Sequence, residues 1–140
     1  MRKILFKAKG VRDNKWHYGY LYNIGDEFIK LKENNSKSIV ECYKNTLCQL
    51  ITSFHNFNME FWENDIITIS LYKDDKIIDS IQGYIYWNNY GAVVINVNGV
   101  EIDTIFEKTF DEKCLLKMEV IGNIFDNPEL IKNKKEEEEL

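Results

Sequence analysis

Side chains that alternate between apolar and polar, residue by residue, are the feature of this sequence that most restricts its fold. The alternation is clear at residues 2–9, 65–72 and 116–120, and it is typical of β-strands that have one face in water. Turn-forming residues separate such stretches. The strongest is Asn98-Gly99, because both residues accept the positive φ of a type I′ hairpin turn. We therefore predict a mainly β protein.

The order of these stretches predicts how the chain is divided. Residues 1–45 contain four strand patterns and predict an N-terminal β-meander, in which Lys7 and Lys9 lie on the solvent side of the first strand. Residues 46–59 lose the period and are interpreted as an irregular connector. Asp126 to Glu129 contain an Asx residue, a proline and a glutamate, a helix-start pattern, so residues 126–140 predict a short helix and an acidic tail.

Length and cysteine content limit the class of protein. A chain of 140 residues can form one domain with a core that needs neither metal nor disulfide, so we expect no cofactor. Its three cysteines are an odd number without tight spacing, which argues against a secreted disulfide framework and favours a reducing cytoplasm. No stretch approaches the roughly 20 apolar residues of a membrane helix, so we expect no membrane partner.

Charge is distributed unevenly along the chain. The formal net charge is −5, but the first fifteen residues carry six basic side chains against one acidic side chain. Lysines at this end can simply protect the edge of an exposed strand. They can also contact the phosphates of a nucleic acid, although nucleic-acid binding usually involves a basic whole domain. An acidic body can instead bind a basic surface on another protein.

Aromatic residues give the candidate binding surface. Strand-like stretches of alternating tyrosines could stack on bases or supply rigid contact area for a protein partner, and the alternative is that a small protein buries them. A symmetric homo-oligomer would also suit exposed strand edges. The candidate residues are Lys3, Lys7, Lys9, Arg12, Trp16, Tyr18, Tyr20, Phe54, Phe57, Tyr84 and Tyr86.

Evidence for an enzyme is lacking in the sequence. Cys48 and His55 are residue types that can act as a nucleophile and its base, but no recognised nucleophile motif surrounds them. Glu60, Glu63 and Asp65 could bind a cation in a metal-dependent hydrolase or nuclease, whereas loop carboxylates more often bond nearby backbone. We find no phosphate-binding glycine loop, nucleophile elbow or zinc helix. We therefore predict no catalytic and no metal-binding residues.

Five segments carry a resemblance to a known family. Residues 1–8, 15–19, 46–49 (TLCQ) and 60–67 (EFWENDII) are similar to the opening and the central motifs of YopX proteins, which occur in bacteriophages and prophages. Residues 120–130, VIGNIFDNPEL, resemble the closing motif almost position for position. Departures from the family pattern are concentrated in the middle of the chain.

The resemblance implies one YopX-like domain over residues 1–140, with no assigned reaction. It also implies that residues 60–122 form an SH3-like small barrel on which the meander packs, a scaffold that binds peptides, proteins or nucleic acids. We therefore expect a phage or prophage accessory protein that binds a macromolecule, with a host protein as the first expectation. Nucleic-acid binding is the alternative, and a metal-dependent hydrolase or nuclease is the second alternative.

Overall fold

The computed structural model describes residues 5–34, 36–51, 60–102 and 114–131. Antiparallel strands dominate these residues, and helix is confined to two short 3-10 turns, Lys44–Thr46 and Pro128–Ile131. The predicted mainly β fold is thus confirmed. We predicted a short helix and an acidic tail over residues 126–140. The structure describes this segment up to residue 131, where it forms the second 3-10 turn, and residues 132–140 lie outside the described residues.

The described chain divides into two compact units, residues 1–63 and 64–140. The first unit holds one six-stranded sheet with the order β4-β3-β2-β1-β5-β6. Its strands are β1 (Phe6–Lys9), β2 (Trp16–Ile24), β3 (Phe28–Glu33), β4 (Ile39–Tyr43), β5 (Cys48–Ile51) and β6 (Phe61–Trp62). The segment that we predicted as an irregular connector therefore contains a strand, β5.

This first sheet curls back on itself. Gly10, just after β1, forms an isolated bridge with Cys42 of β4, and the Val11 amide donates to the Glu41 carbonyl at 3.0 Å. The inner face of the curl holds a small core in which Ala8 and Leu31 are fully buried. Close approach of two strands requires a glycine at position 19, because a Cβ there would lie 2.1 Å from the Lys32 carbonyl oxygen.

The second unit holds a five-stranded antiparallel sheet with the order β10-β9-β8-β7-β11. Among the strands that the structure describes, β10 and β11 stand at opposite edges, so the predicted barrel is not seen to close. The strands are β7 (Asp65–Lys73), β8 (Lys76–Trp87), β9 (Val93–Val97), β10 (Val100–Ile102) and β11 (Cys114–Asn123).

Turn residues in the second unit have the backbone conformations that their chemistry favours. Asn98 and Gly99 have φ values of 53° and 88°, so the predicted type I′ turn is confirmed. Asp74 and Asp75 also have positive φ values, 51° and 63°, in the hairpin between β7 and β8. Asn64 has φ 72°, in the left-handed region that asparagine tolerates better than most residues. The turns at 74–75 and 98–99 join neighbouring antiparallel strands of the second sheet.

Candidate binding surface

The outer face of the first sheet gathers aromatic and lysine side chains from three strands. Residues directly opposite in an antiparallel pair share a face, and the pairs here include Lys7 with Tyr18, Lys9 with Trp16 and Tyr20 with Lys32. We call this surface the tyrosine–lysine face. Its members are Lys7, Lys9, Trp16, Tyr18, Tyr20, Lys30 and Lys32, and Trp62 contacts them.

Lys7 corrects one prediction about this face. We expected Lys7 on the solvent side of the first strand, but the residue is only 5% exposed. Its Nζ lies 4.3 Å from the ring centroid of Trp16 and 5.5 Å from that of Trp62. A cation over an indole ring is attracted by the negative face of the π-system. Lys7 is therefore a buried cation held between aromatic rings, and its ammonium does not face open solvent.

Tyr18 and Tyr20 form the accessible part of the face. They are 46% and 59% exposed, although each carries a large apolar ring. The Tyr18 ring also contacts Trp62 at 5.5 Å between centroids. Large exposed aromatic side chains that lie together mark binding surfaces, because they supply rigid contact area at low entropic cost. The accessible tyrosines are thus the strongest candidates for contacts with a partner.

Neighbouring strands extend this accessible region with both apolar and charged groups. Tyr20, Lys32 and Ile39 stand side by side across β2, β3 and β4, and all three are exposed. Lys30 of β3 stands directly opposite Glu41 of β4. Both signs of charge therefore occur beside the tyrosines, together with an exposed aliphatic side chain.

One end of the same sheet carries a shallow groove. Phe28 of β3 and Tyr43 of β4 are 39% and 36% exposed, and their ring centroids are 6.0 Å apart. Asp26 and Glu27 line the groove beside them, and the Lys44 ammonium donates to the Gly25 carbonyl at 3.1 Å. The groove continues the aromatic surface of the sheet, and its lining carries both acidic side chains and Lys44.

Arg12 lies in the turn after β1, outside the paired strands that form the tyrosine–lysine face. The turn is fixed by His17, whose ring nitrogens lie 2.9 Å from Asp13 Oδ2 and 3.1 Å from Glu33 Oε1. The Lys15 amide donates to Asp13, and this bond is the main reason why the Asp13 pKa is lowered, with His17 adding to the effect. Sequence reasoning did not single out this cluster.

Tyr84 and Tyr86 belong to the second unit. Their rings stack at 5.3 Å between centroids, and both side chains are half-buried. The Tyr86 hydroxyl donates to Glu101 Oε1 at 2.7 Å, and burial is the main cause of a raised Tyr86 pKa. The structure thus brings these two predicted residues together, with an acidic neighbour. Lys3, Phe54 and Phe57 lie outside the described residues.

The acidic residues named for a possible hydrolase lie in three different environments. Glu60 is exposed, and Asp65 is buried at the first position of β7. Glu63 accepts a hydrogen bond from the Gln49 amide, and burial raises its pKa. Within residues 5–34, 36–51, 60–102 and 114–131, no group of three or more His, Cys, Asp or Glu could hold a metal ion. Cys48 is buried in β5, and His55 lies outside the described residues.

Comparison with known proteins places the chain in a family. No helix among the described residues is long and apolar enough to cross a membrane. Neither the curated proteins nor the solved structures compared with the chain include a significant match. The profile of the family described as YopX protein matches residues 5–132, most of the chain, which confirms the resemblance seen in its motifs. The chain therefore belongs to the YopX family.

Proposed function

We propose that this chain is a phage or prophage accessory protein that works by binding a host protein through its tyrosine–lysine face. The observation that supports the proposal is the exposure of Tyr18 and Tyr20, side by side with Lys32 and Ile39, on the outer face of the first sheet. Tyrosine is enriched in the energetic centres of protein interfaces. Its YopX membership and its buried free cysteines are compatible with action in a bacterial cytoplasm.

The composition of the face favours a protein partner over a nucleic acid. Lys7, at the centre of the predicted basic surface, is covered by two tryptophans and presents no open ammonium. Glu41 stands directly opposite Lys30, so the local charge is mixed. Nucleic-acid surfaces depend on several accessible cations that neutralise phosphates. Mixed charge around aromatic side chains is instead typical of a protein interface with a polar rim.

Charge separation between the units adds a second element to the proposal. Residues 1–63 carry ten basic and seven acidic side chains, whereas residues 64–140 carry eight and sixteen. A strongly acidic unit attracts basic surfaces over long distances and speeds association with them. A host protein that normally binds nucleic acid has such a surface. We therefore propose this class of host protein as the partner, with the acidic unit guiding its approach.

Affinity capture from host lysate, followed by measurement on the purified partner, tests the proposal. The double variant Tyr20→Ala/Lys32→Ala should bind the partner at least about 30-fold more weakly than the wild type, because a central aromatic contact is worth about 2 kcal/mol or more. Tyr90→Ala is the matched control, since Tyr90 is 93% exposed in the second unit and should contribute nothing. Equal binding by both variants would contradict a role for the tyrosine–lysine face.

Binding to single-stranded DNA or RNA is the alternative, favoured by the neighbouring exposed rings of Tyr18 and Tyr20. If phosphates are contacted, affinity should fall steeply between low and moderate salt, and Lys30→Glu with Lys32→Glu should abolish it. Formation of a protein complex and no nucleic-acid binding at low salt would support the protein partner. Nucleic-acid binding at low salt without a protein complex would favour the nucleic acid as the partner.

For the second unit, we propose that its five antiparallel strands are the described part of an SH3-like small barrel. A register shift in β7 against β8, and another in β11 against β7, support this proposal, because bulges bend strands as barrel closure requires. An experimental structure that resolves residues 103–113 would test it. A strongly bent sheet is expected, and an open, flat sheet would contradict it.

A further inference from the structure

We propose that the edge strand β11 pairs with β11 of a second copy of this chain, in antiparallel register about Met118. Of the strands that the structure describes, β11 has one neighbour, β7, and it is ten residues long. An edge strand presents a row of backbone donors and acceptors to any strand that can approach. This inference concerns the second unit and does not depend on the proposed function.

The sequence of β11 is complementary to itself around Met118. In a two-fold antiparallel pair, residues at equal distances before and after the centre stand directly opposite each other. Lys117 then faces the partner's Glu119, and Glu119 faces the partner's Lys117. One step further out, Leu116 and Val120 form an apolar pair. Each side chain thus meets a chemically suitable partner.

Exposure supports this register. The side chains of Lys117 and Glu119 are 62% and 58% exposed, and their charged atoms are 3.3 Å apart within one strand. In the proposed pair they would form a cluster of two cations and two anions, which orders each side chain at lower cost than two separate pairs. Val120 is 43% exposed, and in this register it would be covered by the partner's Leu116.

Other registers are less favourable. Centring the pair on Lys117 would place two lysines directly opposite each other, and centring it on Glu119 would do the same with two glutamates. Like charges in direct cross-strand positions are destabilising. A bulge lies between Val120 and Gly122, so regular pairing ends near Val120. The interface is therefore a short ladder centred on Met118, about five residues long in each copy.

Charge variants and their mixture test the register. Lys117→Glu and Glu119→Lys each place like charges opposite each other in the symmetric pair, and each should weaken dimerisation roughly 10-fold or more, measured by sedimentation equilibrium. An equimolar mixture of the two variants should recover the dimer, because all opposing charges are again complementary. Neither variant retains the opposite-charge pair within its own strand, so that pair cannot explain the recovery.

Two controls make the result decisive. Lys76→Glu changes the charge of the second unit as much as Lys117→Glu does, but it lies in β8, and dimerisation should be unchanged. Far-UV circular dichroism checks that each variant is folded. If Lys117→Glu does not fold, the single variant Lys117→Asp replaces it, and if Glu119→Lys does not fold, the single variant Glu119→Arg replaces it. A monomeric wild-type chain, or a dimer whose strength is the same in both single variants and in the mixture, would overturn the proposal.

Discussion

The buried cation of the first sheet gives a prediction that can be worked out in numbers. A cation over an indole ring is worth about 0.5–1 kcal/mol at an exposed site and about 2 kcal/mol when the site is desolvated. Lys7 is 5% exposed, with its Nζ 4.3 Å from the Trp16 ring centroid. The coupling free energy between Lys7 and Trp16 should therefore be near the upper value, about 2 kcal/mol.

Lys9 is the internal control, because it approaches the same ring less closely. Its Nζ is 5.4 Å from the Trp16 centroid, and the residue is half-buried. The attraction of a charge to a ring quadrupole falls with roughly the third power of distance, so the Lys9–Trp16 coupling should be about 1 kcal/mol or less. Lys7 should thus couple to Trp16 about twice as strongly as Lys9 does.

Two double-mutant cycles measure these couplings. Lys7→Met or Lys9→Met is combined with Trp16→Leu, since methionine keeps the length of the lysine stem and loses the charge. Urea unfolding, followed by circular dichroism and by tryptophan fluorescence, gives the free energy of unfolding of each variant. The cycle cancels the other contacts that Lys7 makes. A Lys7–Trp16 coupling below about 0.3 kcal/mol, or a larger coupling for Lys9, would refute the reasoning.

Three further predictions concern stability and reactivity. Gly19→Ala should lower the free energy of unfolding by about 3 kcal/mol in urea titration, because the new Cβ would lie 2.1 Å from the Lys32 carbonyl; a loss under about 1 kcal/mol would contradict this packing. Glu63 has a raised pKa in the folded chain, so its ionisation lowers the free energy of unfolding progressively as pH rises above 4.5. The free energy of unfolding of Glu63→Gln should match that of the wild type below this pH and exceed it at neutrality. A pH-independent difference would be inconsistent with burial as the cause. Burial raises the Cys42 pKa to about 11, so Ellman's reagent should not modify Cys42 before unfolding, and rapid labelling of the native chain would count against its burial.

Local sequence signals predicted most of the strands. Turn residues explain this success, because Asn98, Gly99 and Asn64 favour the positive φ values that the turns adopt. The strand β5, Cys48–Ile51, was missed because Cys48, Leu50 and Ile51 are all buried, so its sequence shows no alternation. A short apolar run of this kind is not distinguishable from an irregular segment by periodicity.

The environment of Lys7 could not be predicted from its own strand. Alternation correctly placed Lys7 on the opposite side of β1 from Ala8, but it could not reveal what covers that side. The covering ring of Trp62 comes from a strand more than fifty positions further along the chain. Contacts so distant in sequence leave no periodic signal. Tyr18 and Tyr20, in contrast, were predicted as candidates, and the structure leaves both exposed.

Photo-crosslinking inside host cells is the most direct test of the claim that the tyrosine–lysine face binds another protein. Benzoylphenylalanine replaces Tyr20 in one sample and Tyr90 in the other, since both side chains are exposed aromatics, at 59% and 93%. A discrete covalent adduct with a host protein from position 20, and none from position 90, is the expected result. Adducts of equal yield from both positions, or none from position 20, would show that this face is not the binding surface.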